Sequence, residues 1–280
     1  MRIDAHQHYW DPQAVHYFWM PENHPVLTRA YGPADLEPIL ERNQFAGSVL
    51  VQAAHDPKEA AWMLDLADKH PSILGVVAWA DLRDGANLPA VLDNLQKHPK
   101  FKGIRHLVQD EPDVDWLLRH DVLDGLKELA RRGIPYDILV KPPQLHVVEP
   151  LVDRVPDLQV VIDHIAKPYI KDRIFDGWAQ QMEAIAKIPH VHVKMSGMIT
   201  EADHTSWSAE SLRPYVQHVY WKFGADRILF GSDWPVCLLA GTWKEVLAAF
   251  TQALGPLDQH TRAKMLGENA ARFYKLSLPA

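Results

Sequence analysis

A chain of 280 residues with 47% hydrophobic and 23% charged residues has the composition of a globular protein with a sizeable core. Its net charge of −7, with no run of lysines and arginines, makes nucleic acid an unexpected partner and points to neutral or weakly charged small molecules. Cys237 is the only cysteine, so no intrachain disulfide forms; no apolar run approaches membrane-spanning length, and a first strand directly after Met1 leaves no room for a signal peptide. The expectation is a cytoplasmic enzyme, with nothing in the sequence that bears on its oligomeric state.

The chain opens on Ile3-Asp4-Ala5-His6-Gln7-His8. Side chains alternate faces along a strand, so His6 and His8 point the same way and form a two-nitrogen clamp for one ion or one substrate oxygen. From His8 to a helix starting near Pro33 runs a loop of about two dozen residues rich in Tyr, Trp, Pro and His, longer than a connector needs to be. It reads as a wall or lid. Further β-branched and apolar runs follow at Gly47 to Ala53, Leu74 to Ala80, Lys102 to Leu107, Pro135 to Val140, Gln159 to His164, His190 to Met195 and Ile228 to Ser232. Most are followed by an amphipathic stretch of helical period, as in a parallel sheet covered by helices.

Two helix starts are well signalled. Asp56-Pro57-Lys58-Glu59 supplies an N-cap, a proline at the first helical position and a capping-box acid; Asp121 precedes Leu123, Leu126, Leu129 and Ala130, and Gly133 stops that helix. A second long loop, from Gly197 to about Leu212, carries Glu201, Asp203, His204 and Trp207, and the end from His260 to Leu276 reads as a last helix. Eight strand and helix units without repeat or linker predict one (β/α)8 barrel domain over residues 1–280. Both long loops follow strands and fall at the C-terminal mouth, where barrel active sites are built.

The polar residues at the predicted C-terminal strand ends are His6 and His8, Gln52, Asp81, Arg105 with His106, Asp137 with Lys141, Asp163 with His164, Lys194 with Ser196, and Asp233. Singly, each also reads as a turn cap or the partner of a backbone group. Together, His6, His8, His164 and Asp233 converge across one mouth. Trp10, Trp79, Trp207 and Trp234 sit on or beside it, where flat apolar faces can cover a sugar ring. Trp62, Trp178 and Trp243 fall in helical patterns and belong to the core, and Cys237 reads as a small packed thiol.

His6-Gln7-His8, Gly103-Ile104-Arg105-His106, Asp163-His164-Ile165-Ala166-Lys167-Pro168, Lys194-Met195-Ser196-Gly197, Phe230-Gly231-Ser232-Asp233-Trp234-Pro235 and Gly267-Glu268-Asn269-Ala270 resemble, in order and spacing, the amidohydrolase superfamily. Within it the chain is similar to the sugar-lactonase branch, typified by L-fuconolactonase and related to 2-pyrone-4,6-dicarboxylate lactonase. The resemblance implies a distorted (β/α)8 barrel, hydrolysis of a cyclic ester to a hydroxy acid in carbohydrate metabolism such as L-fucose catabolism, and a site centred on His6, His8, His164 and Asp233. Metal-dependent relatives typically add a histidine on strand five, and two-metal members a bridging group such as a modified lysine on strand four. Here those strands end in Tyr136-Asp137-Ile138-Leu139-Val140-Lys141 and Arg105-His106, which argues against a two-metal centre. A single Zn²⁺ on His6, His8 and Asp233 would have three protein ligands. A metal-free site is equally compatible, because cationic and hydrogen-bonding side chains polarise a lactone carbonyl.

The chemistry expected of these residues is water attack on a lactone carbonyl with Asp233 as general base. His6, His8 and His164, with Arg105 or Lys194, stabilise the oxyanion, while Gln52, His106, Tyr136 and Lys194 meet substrate hydroxyls and Trp10, Trp79 and Trp207 cover the ring. Ordinary structural hydrogen bonding is the alternative for the hydroxyl-binding set. Arg29 and Arg213 are the only arginines in the two long loops, which favours a neutral aldonolactone over a dicarboxylate. Two other readings stay open: a Zn-dependent decarboxylase of a small unsaturated or aromatic acid, and a silent sugar-acid-binding barrel.

Overall fold

The computed structural model describes residues 1–278. Eight parallel strands run in the order β1 (Ile3–Gln7), β2 (Gly47–Val51), β3 (Ile73–Ala78), β4 (Phe101–His106), β5 (Tyr136–Ile138), β6 (Val160–Ile162), β7 (Val191–Met195) and β8 (Ile228–Phe230). Helices α1 (Pro33–Arg42), α2 (Pro57–Lys69), α3 (Leu88–Leu95), α4 (His120–Arg132), α5 (Val148–Arg154), α6 (Trp178–Ala186), α7 (Ala209–Phe223) and α8 (Trp243–Leu254) alternate with them. This is the (β/α)8 barrel, built because each strand buries both faces and each helix covers the next pair. The barrel closes between β1 and β8 through a single bridge, Gln7 to Trp234. Two backbone bonds accompany it, His8 N–H to the Trp234 carbonyl (2.7 Å) and Asp233 N–H to the His6 carbonyl (2.8 Å). Closing the barrel therefore brings the His-x-His pair to Asp233.

β1 does not follow simple alternation. Its register against β2 shifts between Asp4 and Gln7, a bulge of the kind that re-aims side chains beside active sites. Ile3 and Ala5 pack in the apolar floor of the barrel with Val49, Val161 and Leu229, yet His6 and His8, of opposite parity, also turn inward. Asp4 points the other way and clamps the seam: its carboxylate accepts from Ser232 N–H (2.8 Å), Trp243 Nε1–H (2.8 Å) and His6 N–H (3.3 Å). Burial raises the Asp4 pKa to about 6 against the pull of those donors. Gly231 completes the seam, since a Cβ there would lie 2.6 Å from the His6 Cβ.

Several elements depart from the sequence reading. The strands at β5, β6 and β8 are shorter than their runs in the sequence; β6 stops at Ile162, directly before Asp163 and the turn that carries His164. Asp56 caps α2 as expected, accepting from Lys58 N–H (2.8 Å). Glu59 does not close a capping box there; its buried carboxylate accepts from Ala53 and Ala54 N–H (both 2.9 Å) and shapes the loop after β2. At α4 the cap position is Arg119, and Asp121 lies inside the first turn, paired with Arg119 at 2.9 Å. The expected last helix is broken into Gln259–Ala263, a π-turn at Lys264–Glu268 and Asn269–Phe273. The break falls where Gly267 presses on the N-terminal strand, with room for no Cβ beside the Met1 carbonyl.

Asp4→Ala leaves three buried N–H groups without acceptors at the barrel seam. The expected loss is about 3–5 kcal/mol, read as a lowered denaturant midpoint at unchanged m-value. An unshifted midpoint would mean that the seam does not depend on Asp4.

Candidate active site

A cavity of about 230 Å³ opens at the C-terminal mouth. His8, Arg105, His164, Lys167 and Asp233 form its polar base, with Gln109 and Asp110 from the loop after β4; Trp10, Trp19 and Leu27 of the first long loop, with Leu107, Leu139, Val236 and Leu239, form apolar walls. That first loop is a wall as its sequence suggests, packed on itself through a Trp10 to Tyr31 bridge and edge-on contacts of Trp10 with Trp19 and Tyr31, both at 5.5 Å.

At the base, His6 Nε2 lies 3.2 Å from His8 Nε2, and Asp233 Oδ1 lies 3.4 Å from His8 Nε2, 3.8 Å from His6 Nε2 and 3.9 Å from His164 Nε2. Burial, which alone would raise the Asp233 pKa, is outweighed by His164, His8 and Lys167, so the carboxylate is held below its ordinary range. Burial pushes all three histidines down, His6 and His164 strongly, and Lys194 and Arg105 push His6 further. An ionised acid thus faces neutral imidazoles. His8 Nδ1 sits 2.7 Å from the Val51 carbonyl and so carries the ring proton, leaving the Nε2 lone pair aimed into the mouth.

Beneath this cluster the barrel is filled by an ionic network. Arg105 Nη1 meets Asp163 Oδ2 at 3.1 Å, its Nε and Nη2 donate to Gln52 Oε1 at 3.2 and 3.1 Å, and Nη2 also reaches the Gln52 carbonyl. Lys194 Nζ meets Asp137 Oδ2 at 2.5 Å and Asp163 Oδ1 at 3.0 Å, and Tyr274 O–H donates to Asp137 at 2.8 Å. For Asp163, the cost of burial is overcome by Lys194 and Arg105, which hold it low.

His164 reaches the mouth on an unusual turn. His164, Ile165, Ala166 and Lys167 have φ of 54°, 46°, 58° and 49°, four consecutive left-handed residues without a glycine. Each costs roughly 1–2 kcal/mol, strain of the kind held at functional sites. The turn carries both His164 and Lys167 into the cavity. Gly197, itself at φ 65°, makes room for the ring: a Cβ there would lie 2.7 Å from His164 Nδ1, which bonds Ser196 Oγ at 2.9 Å.

The amidohydrolase family pattern matches residues 3–276. L-fucono-1,5-lactonase of Burkholderia ambifaria is 36% identical over an alignment covering 100% of this chain and 97% of that protein. L-fucono-1,5-lactonase of Burkholderia multivorans is 35% identical, with 100% and 98% covered. A crystal structure of an amidohydrolase from Burkholderia multivorans with bound zinc has a TM-score of 0.90 to this chain at 34% identity, covering 99% and 100%. This chain belongs to the amidohydrolase family.

Of the residues singled out from sequence, this amidohydrolase brings His8, Trp10, Arg105, His164 and Asp233 to the cavity wall, with His6 directly behind His8. The others lie elsewhere. Gln52 is buried and spent on Arg105, and Lys194 is fully buried beneath His6, so neither is placed to meet a substrate hydroxyl. His106 is held by Trp79 Nε1–H (3.0 Å) and Glu111 (2.7 Å) and stacks on Trp116 at 4.1 Å; burial drives its pKa to about 3. Trp79 is occupied by that bond. Tyr136 packs in the cluster between strands and helices, away from the cavity. Trp207 donates to the Ala240 carbonyl (2.8 Å) outside the cavity, and Trp234 is buried against Tyr31. Sequence reasoning did not single out Lys167, Trp19, Gln109 or Asp110. Lys167 shares a motif with His164, and the others lie in loops following β1 and β4, so position after a strand was the available signal.

Three donors in this family member fit one divalent ion by type and spacing. Tetrahedral Zn²⁺ with bonds of about 2.0–2.1 Å separates its ligands by about 3.3 Å, close to the 3.2, 3.4 and 3.8 Å among His6 Nε2, His8 Nε2 and Asp233 Oδ1. These residues form one of two candidate ligand groups among the described residues; the other is His6, Asp163 and His164.

Gly197→Ala forces a Cβ into the His164 ring at a positive φ. The expected result is altered His164 resonances and a loss of about 1–3 kcal/mol in stability. Unchanged resonances and an unchanged unfolding midpoint would contradict this role for Gly197.

Proposed function

We propose that this amidohydrolase is a lactonase that opens a neutral sugar-acid lactone, L-fucono-1,5-lactone or a close deoxyhexose relative, to its hydroxy acid. The observation that carries this reading is an ionised, buried Asp233 facing neutral histidines in a mouth whose cations are already matched. Arg105 is paired with Asp163 at 3.1 Å and Lys167 with Glu201 at 3.1 Å. No free arginine fork stands ready for a dicarboxylate. The cavity of about 230 Å³ is smaller than the roughly 300–1,000 Å³ of pockets for drug-sized ligands, as suits a single sugar ring. Its apolar side, from Trp10, Trp19 and Leu27, suits the C–H face and methyl group of a deoxysugar. The two curated L-fucono-1,5-lactonases at 36% and 35% identity support the same reaction class and a place in deoxysugar catabolism.

In the proposed mechanism Asp233 accepts a proton from a water that attacks the lactone carbonyl carbon. Lys167, whose ammonium has donors beyond its Glu201 contact, faces the developing oxyanion, while Arg105, with its N–H groups committed to Gln52 and Asp163, holds a fixed positive charge at the cavity floor that needs no reorganisation as charge builds. The C–O bond of the ring then breaks, and Asp233 returns the proton to the leaving oxygen. His164, fixed by Ser196 at 2.9 Å, holds its ring 3.9 Å from Asp233 and bounds the space in which the attacking water sits. A divalent ion, when bound, is held by His6, His8 and Asp233 and supplies Lewis-acid polarisation at the mouth.

Asp233→Asn retains the size of the side chain and removes the base. Its kcat on a neutral aldono-1,5-lactone is expected to fall by about 10²–10⁴-fold while the fold, followed by circular dichroism, is kept. Parental turnover by a folded Asp233→Asn enzyme would exclude Asp233 as the base.

A further inference from the structure

With Gln52, His106, Tyr136 and Lys194 buried away from the mouth, the hydroxyls of a sugar lactone have few partners there. Among the described residues that line the cavity, His8, Arg105, His164, Lys167 and Asp233 lie at its base. The walls are apolar but for Gln109 and Asp110, which follow β4 on one short 3₁₀ turn, Val108–Asp110. Gln109 Nε2–H donates to Asp110 Oδ2 at 3.2 Å, and since a carboxylate accepts only, this contact fixes which way the amide points. Gln109 Oε1 is then buried without a partner. That amide is closed to a ligand and serves to hold its neighbour. Asp110 is the open one: its side chain is 30% exposed, Gln109 is its one hydrogen-bond donor among the described residues, and Lys141 Nζ stands 3.7 Å from Oδ1, beyond hydrogen-bond reach.

The turn that carries Asp110 is tied down from several sides. His106 and Glu111 bracket it, with His106 Nε2 and Glu111 Oε1 2.7 Å apart; Trp79 Nε1–H donates to His106 Nδ1 at 3.0 Å, so the ring proton sits on Nε2 and faces the Glu111 carboxylate. Leu107 N–H donates to His55 Nε2 (3.0 Å), Gln109 N–H to the Leu139 carbonyl (3.0 Å) and Gln144 Nε2–H to the Val108 carbonyl (2.7 Å). A side chain carried on such a turn is held in place before a ligand arrives, which lowers the entropic cost of binding. A ligand group that faces Asp110 must donate a hydrogen bond. An alcohol does so, and a ligand carboxylate does not.

We propose that Asp110 is a specificity-determining residue that accepts hydrogen bonds from the hydroxyls of the lactone ring, with Gln109 as the positioning residue that holds it. The assignment rests on the lactonase reading above and adds to it the kind of ligand group taken on the β4 side of the mouth, a neutral hydrogen-bond donor. The test compares kcat/KM for a neutral deoxyhexono-1,5-lactone with that for δ-valerolactone, the same ring without hydroxyls, by proton release from full-length wild type, Asp110→Ala and Asp110→Asn. The wild type should favour the hydroxylated lactone. In Asp110→Ala that preference should fall by about ten- to hundredfold, the scale of a hydrogen bond to a charged group, with a smaller fall in Asp110→Asn, which keeps one acceptor. Lost packing or a shifted loop would lower both substrates together and leave the ratio in place. A wild type without the preference, or variants that keep it in full, overturns the role of Asp110 while the lactonase reading stands. A wild type that opens neither lactone overturns that reading, and this assignment with it.

Discussion

Two cations and two carboxylates, Arg105, Asp163, Lys194 and Asp137, lie side by side inside the barrel with almost no exposure, and the chemistry above depends on their neutralising one another. Removing such charges from water costs several kcal/mol per ion, recovered only when partners and hydrogen bonds are nearly complete. Here each charge has an oppositely charged neighbour, Gln52 accepts from Arg105 and Tyr274 donates to Asp137, and Asp163 Oδ1 is the one acceptor left with an ion-pair contact but no hydrogen bond. The network sums to zero. It sets the potential under His6 and holds Arg105 at the cavity floor.

The mouth is assembled from constraints that cost stability locally. Four left-handed residues in succession carry His164 and Lys167 inward, a bulge in β1 turns His6 and His8 toward the axis, and Gly231 and Gly197 stand where the two rings need room. The strain is held by the Asp4 clamp and by the barrel closing through Gln7 and Trp234. The same seam that closes the sheet fixes the distance between Asp233 and the histidines, so stability and geometry are coupled at this point.

Much of this was legible in the sequence, for identifiable reasons. Eight β-branched runs separated by amphipathic stretches leave little alternative to a parallel barrel, and the His-x-His spacing with a distant Ser-Asp-Trp-Pro points to residues that the fold does bring together at the mouth. What failed was parity and depth. Tyr136 and Asp137 are neighbours on a strand, as are Arg105 and His106, and neighbours point to opposite faces; once Asp137 and Arg105 turn inward, Tyr136 and His106 are drawn away from the cavity. Lys194 has the inward parity but lies a layer deeper than Ser196, beneath His6. The bulge in β1 has no signal in composition, and the left-handed turn at His164 contradicts the preferences of Ile165 and Ala166, so neither was open to propensity reasoning. Glu59 satisfied a capping pattern on paper and was taken instead by the N–H groups of Ala53 and Ala54.

A charge-matched mouth with Asp233 as base is proposed to open neutral lactones. Proton release followed with a pH indicator, across neutral aldono-1,4- and 1,5-lactones and one dicarboxylate lactone, tests it most directly. Rapid release is expected from a neutral deoxyhexono-1,5-lactone and little from the dicarboxylate. Silence on every neutral lactone, or a preference for the dicarboxylate, would contradict it.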